Sequence, residues 1–279
     1  MGWAVLLPVT PVGAQIAGEA WKDLMTEGQH QASGKDLSIP EQTFRKAVHE
    51  AERFGPDDWR VGISLESLGQ IYSREKKYKD AETALRRALA ILQSADGDDS
   101  IEAANINLDL ARMMLASGHP ADAILVARQS LSVYERLLGG VDLQTADVAC
   151  LIGDSLRTMK DFIDAEAPLR RCADIRESAA GIESAELADA VYSLALTYTN
   201  ERKFHLAEPL FKLAERIREK KLGLTSPLLA RTMEDHAALL QAMGRNTEAH
   251  RLNLLAEAIR RSKTQGKDRK SPRYSENNQ

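Results

Sequence analysis

The sequence predicts an all-α solenoid of antiparallel helix hairpins, and three observations carry that expectation. A small residue returns at a constant step: Ala81, Ala123, Ala165, Ala207 and Ala249 stand 42 residues apart. A fixed interval of this size marks stacked supersecondary units, each too small to bury its own apolar face. Composition agrees, because Gly, Pro and aromatic residues are few while Ala, Leu, Glu, Arg and Lys abound, which favours helix. Last, Gly55, Gly97, Gly139, Gly181 and Gly223 recur at the same step, where glycine can end a helix in a left-handed conformation.

In chain order, four segments follow. Residues 1–16 carry a short apolar run, Trp3 to Val9, and then Val12-Gly13-Ala14-Gln15, which has the small residues of a signal-peptidase site. No Lys or Arg precedes the run, so two readings stay open. One is the remnant of an export signal, which places the protein in a periplasm or outside the cell. The other is a disordered arm on a cytoplasmic protein. Residues 17–55 read as a divergent cap pair of helices, the first opening at Trp21. The second starts near Pro40 and is striped by Phe44, Ala47, Val48 and Ala51.

Residues 56–261 hold five regular units. Their first helices, starting near Arg60, Ile101, Leu143, Ala185 and Pro227, share a small column: Gly69, Ala111, Gly153, Ala195 and Ala237. Three residues on comes a large one: Tyr72, Met114, Leu156, Tyr198 and Leu240. Leu68, Leu110, Ile152 and Leu194 form a further apolar column that His236 breaks. Such spacing puts small and large residues on one helical stripe. The second helices repeat the logic with Ala88, Ser130, Cys172, Ala214 and Ala256, followed by a branched plug such as Ile91 or Ile217. Turns of the kind Glu75-Lys76-Lys77 are too short to join anything but antiparallel neighbours. Residues 262–279 are polar and basic and read as a disordered tail.

The chemistry of most activities is missing. A formal charge of −4 supplies no field for a nucleic-acid backbone, so no nucleic-acid partner is expected. No stretch is long and apolar enough to span a bilayer. His236 and His250 match no metal-ligand spacing, and no nucleophile elbow or phosphate loop occurs, so neither an enzyme nor a cofactor or metal site is expected. Cys150 and Cys172 are too few for a disulfide framework; Cys172 takes a column of small residues and reads as a small hydrophobe in a packed seam.

Large–small–large in the first helix, then two alanines seven apart in the second, resembles the tetratricopeptide repeat. Leu65-Glu66-Ser67-Leu68-Gly69-Gln70-Ile71-Tyr72 with Ala81, Leu85 and Ala88 carries the match best. The step of 42 is similar to the kinesin-light-chain-like subfamily, as is Ala207-Glu208-Pro209-Leu210-Phe211. The resemblance implies a right-handed superhelix whose concave groove, lined by first helices, binds a protein or peptide without catalysis. The asparagine pairs by which that subfamily holds peptide backbone are absent here: the matching positions read Glu66-Ser67, Leu108-Asp109, Cys150-Leu151, Tyr192-Ser193 and Glu234-Asp235.

On that implied groove the expected partner-binding residues are Asn105, Arg112, Arg157, Tyr192 and Asn200. Tyr192 would serve as an exposed aromatic anchor. Arg112 and Arg157 would hold a partner's carboxylate, or instead pair with Asp154 and Asp147 inside the groove. The alternative function is structural: a homo-oligomer packed through the terminal helices.

Overall fold

A computed structural model describes residues 12–97 and 99–268, with side chains described from residue 18 to residue 261 except at 96 and 98. Among the described residues every regular element is an α-helix. The helices fall into two compact units, divided after Leu137. The first contains α1 (Val12–Gln31), α2 (Ser38–Glu52), α3 (Trp59–Arg74), α4 (Tyr78–Asp96), α5 (Ile101–Ala116) and α6 (Pro120–Leu138). The second contains α7 (Leu143–Thr158), α8 (Phe162–Ala180), α9 (Ala185–Asn200), α10 (Phe204–Leu222), α11 (Pro227–Ala242) and α12 (Asn246–Asp268). Within each unit the odd-numbered helices pair with the even-numbered ones after them, giving the all-α antiparallel hairpins that the sequence predicts.

Local chemistry sets the boundaries. Asp58, Ser100, Asp142 and Ser184 precede four first helices at the same step, and each side chain accepts from a backbone N–H of the first turn. Such caps satisfy amides that have no partner inside the helix. Gly181 and Gly223 stop second helices at φ 85° and 77° with ψ 162° and 168°. That pairing is a region open essentially to glycine alone, and it differs from the compact left-handed cap the sequence suggested. The left-handed residue proper is in the hairpin turn, where Lys76, Lys160 and Arg202 have φ of 62°, 64° and 60°.

Within a hairpin the small column lets helices close up. A Cβ on Gly153 would lie 2.5 Å from Leu169 Cγ, and one on Gly69 2.7 Å from Leu85 Cγ. Leu85 and Leu169 are fully buried, so the missing methyl is the space their side chains fill. The cap pair is anchored by Trp21, whose Nε1 donates to Ser64 Oγ at 2.8 Å and whose ring meets Trp59 edge-on at 5.5 Å.

Three expectations need correction. α1 begins at Val12, inside the segment read as signal remnant or arm, while residues 1–11 lie outside the described ones. α12 runs to Asp268, past Arg261 where the apolar pattern stops. Residues 269–279 lie outside the described ones. Finally, Cys150 and Cys172 are bonded to each other, with Cα atoms 5.3 Å apart. They face one another across the α7–α8 hairpin, so a pair too small for a framework still makes one staple.

Candidate partner-binding face

First helices of successive hairpins lie side by side within each unit. In the first unit Gln70 of α3 donates from Nε2 to Asp109 of α5 at 2.6 Å. Arg112, one turn on, donates to the same carboxylate at 3.4 Å. Burial holds the Asp109 carboxyl above the usual range despite both donors. Glu66 lies beside it, and burial, then repulsion from Asp109 and Glu102, pushes its carboxyl up to about 7. Asn105 faces inward toward its own hairpin, where Tyr134 Oη donates to its Oδ1 at 2.6 Å.

That last bond is one member of a series. Arg176 donates to Asp147 at 2.9 Å and Arg218 to Asp189 at 2.7 Å, each pair 29 residues apart like Tyr134 and Asn105. A second-helix residue thus repeatedly ties down the first turns of its own first helix. Asn105, expected to face a partner, is therefore a scaffold contact.

The second unit revises the tyrosine. Tyr192 is only 9% exposed, with its hydroxyl donating to Asp235 Oδ2 at 2.5 Å. Arg218 stacks 4.4 Å above its ring, and Phe211 meets it edge-on. Burial, reinforced by Asp235, pushes the phenol up to about 12. It is therefore no exposed anchor: the bulky ring in this column fills space between α9, α10 and α11. Arg157 pairs with Asp154 at 3.2 Å, three residues back on its own helix. The proposed Arg157 partner Asp147 is instead held by Arg176. Asn200 is exposed, and its Nδ2 donates to the carbonyl of Leu196 one turn earlier.

His236, the break in the leucine column, is buried and stacked on Phe211 at 5.5 Å, with Nδ1 2.9 Å from Glu215. Its Nε2 is buried without a partner. Sequence reasoning passed over Glu66 and Asp109 as a site; the signal was two carboxylates in neighbouring columns of consecutive repeats. Among the described residues no group of His, Cys, Asp and Glu is placed to hold a metal ion, and no helix is long and apolar enough to cross a membrane.

Residues 60–136 match the family model of the tetratricopeptide repeat. That stretch is similar to the tetratricopeptide repeat. A TPR repeat-containing protein of Dictyostelium discoideum is 30% identical over 170 residues, which cover 60% of this chain. The aligned region covers 10% of that relative's length. Among solved structures, BtubC of P. vanneervenii superposes with a TM-score of 0.72 at 20% identity, over 88% of this chain and 98% of that one. A kinesin-light-chain structure with nearly identical TPR-like repeats, from Podosopora anserina, gives 0.63 at 20% identity, over 73% and 95%. These likenesses show a helical-hairpin fold of the tetratricopeptide type.

Proposed function

We propose that the protein is a non-catalytic interaction scaffold whose first helices receive a peptide or helix from a protein partner. The observation that carries this reading is the Gln70–Asp109 bond, which joins α3 to α5 and lays their outward residues edge to edge. Such a run of neighbouring polar side chains can meet a ligand at several points at once. The 42-residue step, together with the fold of the Podosopora anserina repeats, supports placing the chain in the kinesin-light-chain-like subfamily. Of the expected site, Arg112, Arg157 and Asn200 remain as partner contacts; Asn105 and Tyr192 support the helices beneath. A photo-crosslinker placed at Gln70 or Asn200 should trap a partner in the source cell, and the same group at exposed Arg216 should not. Equal trapping from Arg216 removes the reading.

The compartment belongs to the same proposal. A formed Cys150–Cys172 bond supports a protein that matures where thiols oxidise, a periplasm or the exterior, because reducing cytosols keep such pairs open. Fractionation combined with thiol labelling tests it, and a fully reduced cytoplasmic pool would overturn it.

A second reading, self-association through the terminal helix, is favoured by Leu254 and Leu255, which lie 51% and 53% exposed on α12. Sedimentation over a concentration range decides between the two; a species that stays monomeric throughout removes self-association.

A further inference from the structure

Two places in this protein share a four-residue arrangement at the turn end of a hairpin. In the first unit, Lys77 reaches Glu41 of α2 at 2.6 Å, and Arg45 reaches the same carboxylate at 2.9 Å. Both cations sit 5.7 Å from the centre of the Tyr72 ring. In the second unit, Lys203 reaches Glu166 of α8 at 2.6 Å, Arg170 pairs with Glu166, and Lys203 lies 5.6 Å from the Tyr198 ring. Arg170 also donates to Tyr198 Oη at 2.6 Å, and that hydroxyl donates to Glu166 at 3.3 Å. Ring and lysine together close the gap between consecutive second helices.

The corresponding place between α4 and α6 keeps only half of this set. Counting back 84 residues from Tyr198, Lys203, Glu166 and Arg170 gives Met114, His119, Glu82 and Arg86. The carboxylate and arginine are paired at 2.8 Å, as elsewhere. The ring is gone, and His119 turns its Nδ1 to Ser117 Oγ at 3.0 Å instead of reaching Glu82. What remains is an open groove of about 810 Å³, lined by Met114, Tyr78, Val126 and Leu125. Leu125 is 66% exposed there. Lys76 and Lys79 stand on the rim, opposed by Asp122 alone beyond the paired Glu82.

We propose that this groove binds a tyrosine side chain from a partner peptide whose flanking residues are acidic. The ring would take the volume that Tyr198 fills in α9, against a methionine whose thioether adapts to an aromatic edge. Its hydroxyl would accept from Arg86 and donate to Glu82, the two bonds Tyr198 makes at its own locus. Acidic flanks would meet Lys76 and Lys79, which outnumber Asp122. Second helices and their turns form this groove, so the proposal stands apart from the first-helix reading.

The test uses the full chain and a short labelled peptide with one tyrosine between glutamates, followed by fluorescence anisotropy. Replacing that tyrosine by alanine should weaken binding about tenfold or more, as loss of a buried aromatic anchor does. The double variant M114Y/H119K installs what α9 and its turn already carry, so it should fold, melt higher and lose the peptide. K76E/K79E, which leaves the apolar lining intact, should weaken the same peptide and remove its salt dependence. Equal binding of the tyrosine and alanine peptides, or unchanged binding by either double variant, overturns the proposal. So does a dimer that M114Y/H119K disperses while no peptide binds, because the groove would then hold a second copy of the chain.

Discussion

The hydroxyl of Tyr192 on α9 donates to the carboxylate of Asp235 on α11 at 2.5 Å, joining the first helices of two successive repeats. A bond of the same kind joins α3 to α5 three repeats earlier, from Gln70 to Asp109. Side chains that a one-dimensional reading assigns to a ligand are therefore partly consumed in holding the helices that would present it.

Tyr192→Phe should cost about 0.5–1.5 kcal/mol in chemical denaturation at neutral pH, the usual net worth of one hydrogen bond. The pH dependence sharpens the test. The folded-state phenol is raised to about 12 from 10.0, so its contribution is complete below pH 10 and fades as pH rises toward 12. The wild-type advantage over the variant should shrink across that window. A constant difference up to pH 12 would mean that the hydroxyl is not held as described.

Glu66 gives the opposite use of pH. Its folded carboxyl is raised to about 7 from 4.5, so the folded state binds the proton more tightly than the unfolded one. Stability from this group is present below pH 4.5 and is lost as pH rises through 7. Glu66→Gln keeps the shape and removes the charge. It should be more stable than wild type at pH 8, by at most about 3 kcal/mol, and indistinguishable at pH 4. Thermal melts at the two pH values check this.

The Cys150–Cys172 bond closes a loop of 22 residues within one hairpin. Cys150→Leu with Cys172→Ala restores residues that other repeats carry in those columns, as in Leu108 and Ala214. Removing the crosslink should lower stability by about 2–4 kcal/mol under oxidising conditions. Adding a reductant should bring wild type down to the variant. If denaturation midpoints already agree without reductant, the bond does not form in solution.

How much of this was legible in the sequence follows from what a column can encode. Helix starts were readable because Ile101, Leu143, Ala185 and Pro227 begin α5, α7, α9 and α11 where the period put them. Packing columns were readable because Ala81 and its equivalents are fully buried in every repeat. Pairing between columns was not. Nothing in the spacing says that Arg218 reaches Asp189, or that Tyr192 turns beneath the face rather than onto it, because those contacts depend on helix rotation of a few tens of degrees. The disulfide was missed for a related reason: the period compares like positions between repeats, and Cys150 and Cys172 are unlike positions inside one.

The hairpin turns carry a final, quantitative consequence. One position in each turn takes positive φ; Gly118 and Gly244 occupy it in two repeats, while Lys76, Lys160 and Arg202 occupy it in the others. A residue with a Cβ is strained there, because that atom crowds its own backbone. Lys160 is exposed, and its side chain has no ion pair or hydrogen bond among the described residues, so its replacement isolates the backbone effect. Lys160→Gly relieves the strain but also loosens the unfolded chain, and these effects oppose each other. Relief should win by about 0.5–1 kcal/mol, since strain of this kind costs roughly 1–2 kcal/mol. Gly118→Lys, measured alongside, should destabilise by a similar amount. Two substitutions that shift the melting temperature in the same direction would show that the turn's conformation is not what limits the residue.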